Sequence, residues 1–172
     1  EAYLHMMKTK IGLYETDVND IILIQELENV LTLQEIDMTL FYRQLGNLFK
    51  LENEVNFQTF STLIESTFYT FNDLKVHQPA WENWFQLYQN RLQKETLTPT
   101  ERKQKMDAVN PKYVLRNYMA QLAIDDAEKG DFNLVNQLFE MLKNPYDEQP
   151  QFEKWYAKRP DWAKNKVGCS QL

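Results

Sequence analysis

The sequence predicts an all-α fold, and three observations carry that prediction. Only four glycines and six prolines punctuate 172 residues. No stretch alternates apolar and polar residues at period two, and apolar residues recur at three- and four-residue steps along most of the chain. One domain is expected over residues 1–172, because a chain of this length typically buries roughly 70% of its unfolded surface.

The first helix is expected to run through about Gly12. "EAYLHMMKTKIGL" has no Ser, Thr, Asp or Asn ahead of its apolar positions and no initiating Met, so the helix is expected to begin upstream and the chain to be a piece of something longer. Asp17 is the expected N-cap of a second helix that buries Ile21, Ile24, Leu27, Val30 and Leu31. A third runs from about Asp37 to Phe49 and carries Leu40, Phe41, Gln44, Leu45 and Leu48, and a fourth spans Phe57 to Tyr69. Pro79 opens a fifth, whose Trp81, Trp84, Phe85, Tyr88 and Leu92 form an aromatic stripe expected in the core. "TPTE" at Thr98 to Glu101 is a capping box with Pro at the first helical position, so a short helix follows to about Val109, with "ERKQK" as a solvated face.

The next stretch, "NPKYVLRNYMAQ", reads as another helix start: Asn110 caps, Pro111 presets the first turn, and Val114, Tyr118 and Leu122 stack beside Leu115, Met119 and Ala123. Gly130 ends that helix where positive φ is needed, and Asp131 caps a following one with Phe132, Val135, Leu138, Phe139 and Leu142. The pair is an α-hairpin over about 111–143. Beyond Asn144, Pro145 and Pro150 bracket Tyr146, Asp147 and Glu148 in an ordered, extended crossing, and 159–172 is expected to be an irregular, flexible tail.

Composition excludes several function classes. With 25 acidic against 19 basic residues the net charge is -6, which gives a phosphate backbone no broad positive field, so no nucleic-acid partner is expected. The longest apolar run, "IILI", is far short of a membrane span, and the expected setting is soluble and intracellular. His5 and His77 lie in unrelated segments, so no metal site is expected. Glycines at 12, 46, 130 and 168 are too scattered for a phosphate-cradling loop. Arg116, beside Asn117, reads first as a clamp between helices, bonded to a carboxylate or to helix-end carbonyls, and second as a ligand-phosphate contact. Asp147 and Glu148 read as turn residues or a basic partner's contact before a divalent-ion site. Cys169, the single cysteine, is an incidental thiol or a redox handle for a cysteine elsewhere.

"MKTKIGL", "DMTLFYRQL", "NPKYVLRN", "GDF", "PYDEQP" and the tail "PDWAKNKVGCSQL" occur in this order, and together they resemble the C-terminal region of the selenoprotein O family. The second of these resembles the family's "DYTxFFRxL" block, with Met38 where an aromatic is common. The resemblance implies a helical C-terminal extension of a protein-kinase-like C-lobe. It also implies a parent that transfers AMP from ATP, with Mg²⁺ or Mn²⁺, to Ser, Thr or Tyr of target proteins. The family's nucleotide and metal residues lie upstream, so no catalytic, cofactor or metal residue is expected in this chain and no ATP binding by it alone. Its implied partners are the upstream kinase-like domain and the parent's protein substrates, and its implied location is cytoplasmic, or mitochondrial in a eukaryote. Cys169 matches the family's cysteine or selenocysteine near the chain end, which implies a disulfide to a cysteine nearer the kinase-like core. Here, however, Ser170, Gln171 and Leu172 follow where bacterial members commonly end "CSS". The alternative reading is a non-enzymatic helical interaction module, suggested by the ankyrin-like cadence of "AEKGDFNLVNQLFEML".

Overall fold

The computed structural model describes residues 1–50, 55–70 and 73–166. Its elements are helices α1 (Ala2–Lys10), α2 (Asp20–Thr32), α3 (Met38–Asn47), α4 (Phe57–Ile64), α5 (Asp73–Val76), α6 (Gln78–Leu92), α7 (Pro99–Val109), α8 (Asn117–Ala127), α9 (Asn133–Lys143) and α10 (Asp161–Lys164). Short 3₁₀ turns lie at Leu48–Lys50, Glu65–Thr67 and Pro150–Trp155. Extended pairing among the described residues is a single antiparallel bridge between Ile36 and Phe68, so the chain is all-α. Two compact units divide at Asn110 and Pro111.

In the first unit α2 packs on α6, α3 on α4 and α7, and α1 on α2 and α7. The aromatic stripe of α6 is the centre of this core, with Trp81, Trp84, Phe85 and Tyr88 buried and Leu92 at its edge. Phe60 stacks on Phe85 with centroids 4.5 Å apart, Trp84 stacks on Tyr88 at 5.1 Å, Phe41 tilts against Trp81 at 5.7 Å, and Phe68 meets Trp81 edge to face at 5.8 Å. Such ring pairs add roughly 0.5–1.5 kcal/mol each beyond the area they bury.

Helix starts follow local chemistry where it is strong. Thr98 and Glu101 form the capping box read from "TPTE", and Asn56 with Thr59 forms a second. Asp37 caps α3 by accepting from the Leu40 N–H at 3.0 Å, and its other oxygen accepts from the Tyr69 hydroxyl at 3.2 Å.

Several expectations need correction. Asp17 is not the N-cap of α2: it accepts from the N–H of Asn19, the residue at the N-cap position of the helix, which starts at Asp20. That start leaves Ile21 half exposed, and Leu23 takes its place in the core. Arg102 and Lys103 of the "ERKQK" run are buried, because their long stems lie along apolar surface while their heads find partners. Lys103 bonds Asp107 one turn on, and Arg102 donates to the Leu97 carbonyl at 3.2 Å.

Asn110 and Pro111 do not open a helix either. Asn110 is the last residue of α7's hydrogen-bonded run and Pro111–Leu115 is irregular, so the hairpin comprises α8 and α9 and begins at Asn117. Val114 and Leu115 therefore lie ahead of α8, and Leu115 is exposed. The hairpin turn itself has Schellman geometry. Gly130, at φ 87°, donates to the Ala127 carbonyl at 2.9 Å, and Asp131 donates to the Asp126 carbonyl at 3.0 Å. Asp131 is not the N-cap of α9, a position Phe132 holds; its carboxylate accepts from the N–H of Asn133, the first helical residue, at 2.9 Å. Ahead of α10 the chain packs partly buried over residues 155–160, and Ala163 in α10 is buried with the α8/α9 core.

Gly12 is the tightest backbone position of the first unit. Its φ is +77°, and a Cβ there would sit 2.7 Å from Met106 Sδ and 2.9 Å from Arg102 Cγ. Gly12→Ala is expected to destabilise the protein by about 2 kcal/mol through positive-φ strain and overpacking, measured as a lower urea midpoint with unchanged slope.

Candidate functional site

The residues singled out in the sequence fall mainly in the second unit, where they meet as two facing segments. The stretch after Asn110 is extended, which frees its backbone to pair. The N–H groups of Lys112 and Tyr113 both donate to the Pro145 carbonyl, at 2.8 and 3.0 Å. Tyr113 is buried and its hydroxyl donates to the Gln149 carbonyl at 2.9 Å. The Gln149 side-chain amide turns the other way, donating to the Met141 and Asn144 carbonyls at 2.9 and 2.8 Å. Met141 lies in the last turn of α9, where carbonyls lack an intrahelical partner, and Asn144 is the C-cap residue, its carbonyl also accepting from the Asp147 N–H at 3.1 Å. "NPKY" and "PYDEQP" are thus one structure: the second segment closes α9 and holds the first.

Lys112 completes it. Its stem is buried, and its ammonium bonds Glu148 and Glu153 at 2.6 Å each. Burial would push the Lys112 pKa down, but the hydrogen bonds its ammonium donates to the two carboxylates outweigh that and raise it. Both carboxylates are more than half exposed, so the cluster is a surface latch of modest strength.

The other expected residues take these places. Arg116 is buried as the extended residue ahead of α8, its carbonyl accepting from the Met119 N–H at 2.9 Å, and Asn117 is exposed at the helix start. Pro145 is half-buried, and Tyr146, Asp147, Glu148 and Pro150 are exposed. Cys169 lies outside the described residues. Asn110, in the first unit, donates from Nδ2 to the Lys10 carbonyl at the end of α1 at 2.8 Å.

In the first unit Arg43 clamps helix-end carbonyls. Its guanidinium donates to the Asp107 and Asn110 carbonyls at 3.1 and 3.0 Å, closing α7. A second buried cluster surrounds Asp20, which accepts from Arg91 Nε at 2.6 Å and from Lys8 at 2.7 Å. Arg91 also bonds Glu95 at 2.8 Å and the Glu15 carbonyl at 2.6 Å. Burial pushes the Asp20 carboxyl up, but the Arg91 and Lys8 hydrogen bonds together hold it below the ordinary aspartate value. Beside this cluster a cleft of about 300 Å³ lies between α2 and α6, floored by Ile22, Leu23 and Leu87 and rimmed by Asn19, Asn90 and Lys94.

Sequence reasoning missed Lys112, Tyr113, Gln149 and Glu153. Their signal was available only as two distant motifs of equal resemblance, because nothing local marks a lysine for a carboxylate 36 residues away. Among the described residues no group of three or more His, Cys, Asp or Glu is placed to hold a metal ion. The two positive-φ glycines stand at helix ends, and no described helix is long and apolar enough to cross a membrane.

Residues 1–143 match the family model described as protein adenylyltransferase SelO. The chain belongs to the SelO family. Among its relatives it is 48% identical to the protein nucleotidyltransferase YdiU of Flavobacterium johnsoniae, over 99% of this chain and 32% of that protein. It is 43% identical to the YdiU of Rhodopirellula baltica, over 100% of this chain and 34% of the relative, and 39% identical to that of Aromatoleum aromaticum, over 100% and 32%. The chain therefore spans about a third of the length of these SelO-family relatives.

Two outcomes test the site's architecture. Gln149→Glu keeps the shape of the side chain but removes the donors to Met141 and Asn144. It is expected to destabilise the second unit by about 2 kcal/mol at pH 7 and to speed amide exchange in the last turn of α9. Asp20→Asn leaves Arg91 and Lys8 without their carboxylate and is expected to lose about 3 kcal/mol at pH 7. Because the folded-state pKa of Asp20 is depressed, its contribution is present above the unfolded value and lost as pH falls through the folded one. The gap between wild type and variant in urea unfolding should therefore narrow below about pH 4.

Proposed function

We propose that this chain is the helical C-terminal part of a SelO-type protein adenylyltransferase. In that reading it braces an upstream kinase-like domain and supplies no group that touches the nucleotide. The parent would bind ATP with Mg²⁺ or Mn²⁺ and transfer AMP to Ser, Thr or Tyr hydroxyls of target proteins in the cytoplasm, or in mitochondria of a eukaryote. The observation that carries this reading is the match to a nucleotidyltransferase at 48% identity over 99% of the chain but only 32% of the relative.

The geometry favours the bracing role. The motif residues Asp37, Arg43, Asn110, Tyr113 and Gln149 each make a side-chain hydrogen bond to a helix end or a loop carbonyl, which commits them to the fold. The described residues do not fit an ATP–metal centre, having neither a carboxylate cluster for the ion nor a glycine-rich turn for the phosphates. No chemical step is derived through them. Cys169 would be the one side chain with redox chemistry, pairing with a cysteine nearer the kinase-like core as the family resemblance implies.

The test uses two proteins, this chain and the full-length parent, each with labelled ATP and a divalent ion. The parent is expected to deposit AMP on a protein hydroxyl, read by mass spectrometry, and the isolated chain to give neither transfer nor a calorimetric binding signal. Micromolar ATP binding by the isolated chain, or a parent inert with both metals, would overturn the proposal.

A further inference from the structure

The α8/α9 hairpin carries more apolar surface than its own unit covers. On α9 the strip Leu134, Leu138, Met141 and Leu142 packs inward, with Leu138 and Met141 fully buried. Phe132, Val135 and Phe139 form the adjoining strip, one helical step round, and remain 58%, 40% and 62% exposed. The apolar arc of α9 is therefore about twice as wide as the face its unit uses, and two phenylalanines stand in water. Aromatic rings are the heaviest contributors to buried interfaces, and here two of them stand exposed on one strip, about two helical turns apart with Val135 between.

We infer that the Phe132–Val135–Phe139 strip is the docking face for the rest of the same polypeptide, the part lying outside these 172 residues. This deepens the proposed function, since it rests on the chain being one segment of a larger enzyme. The choice of occupant follows from length. Relatives match this chain over 99–100% of its residues yet extend to about three times its length, so most of the parent's surface is supplied from outside it. The strip is held for such a role. Its helix is fixed at the start by the Gly130–Asp131 turn and at the end by Gln149, so its outward direction is set by hydrogen bonds at both ends. Lys143, whose ammonium lies 4.8 Å from the Phe139 ring and bonds Glu140 at 2.7 Å, edges the strip with a neutralised pair.

Thiol labelling distinguishes the occupants. Phe139→Cys and, as a control on another exposed side of α9, Gln137→Cys are made in both this chain and the full-length parent, and labelling at each position is followed by mass spectrometry. Both sites are exposed, so neither variant threatens folding. Position 139 is expected to react at least about tenfold more slowly in the parent than in this chain, with position 137 unchanged. Four results would each overturn the inference: equal rates at 139 in both proteins; equal slowing at both positions; protection of 139 already present in this chain at all concentrations; or protection in this chain that grows with its concentration, which would assign the face to a second copy. AMP transfer by the same parent is assayed separately. An inert parent with protected 139 would remove the proposed function and leave the docking face, and an active parent with unprotected 139 would do the reverse.

Discussion

The constraint that shapes this chain is what happens to carbonyl groups at helix ends. Every helix leaves its last four carbonyls without an intrahelical donor, and the usual remedy is a glycine in the left-handed conformation. With four glycines in 172 residues, that remedy is scarce here. Gly12 after α1 and Gly130 after α8 supply it, each with both Schellman bonds. Further donors are side chains: Asn110 and Arg43 reach the ends of α1 and α7 from far along the sequence, and Gln149 turns back from just beyond α9. Loop carbonyls after α1 are held in the same way, Ile11 by the Tyr88 hydroxyl at 2.6 Å and Glu15 by Lys8 and Arg91.

A helix end capped this way is stable only when its distant partner is in place, so the caps couple elements that propensity alone would leave independent. Burial then makes the coupling strong. Arg43, Asn110 and Asp20 are each almost fully removed from water, and a buried polar group that loses its partner retains its full desolvation penalty. The Asp20 cluster shows the balance: burial works against the charged carboxylate, yet two cationic donors at 2.6 and 2.7 Å more than offset it. Arg91 reports the same arithmetic from the other side, burial lowering its pKa while Asp20 and Glu95 raise it.

These features also decide what the sequence could disclose. The Thr98–Glu101 box, the α6 aromatic stripe and the Gly130–Asp131 turn were legible because each is written within a few neighbouring residues. Asn110–Pro111 was misread for the opposite reason. Asn-Pro is a sound helix opening locally, but Asn110 is committed to the Lys10 carbonyl, and the amides that follow Pro111 bond Pro145. Arg102 and Lys103 look like a solvated run until α7 is seen lying against α1 and α3, where their stems are covered. Periodicity marked Phe132, Val135 and Phe139 as apolar but could not say which of them their own unit would bury. The motif strings that carry the family resemblance have carbonyl capping and segment pairing among their physical roles, and those roles are visible only once the distant segments are brought together.

The same logic bears on how α9 holds its outward face. A helix presents a surface in a fixed direction only if that face is rigid relative to its own core. In α9 that face is set by two end constraints, and the later one passes through Gln149 into the Pro145 and Tyr113 pairing. Loss of the Gln149 donors would free the last turn of α9 and lower the unit's stability while leaving the Leu138, Met141 and Tyr118 packing in place, so the outward strip would lose its fixed direction before the core is lost. Tyr113 joins the two roles, its ring buried in that core and its hydroxyl bonded to Gln149.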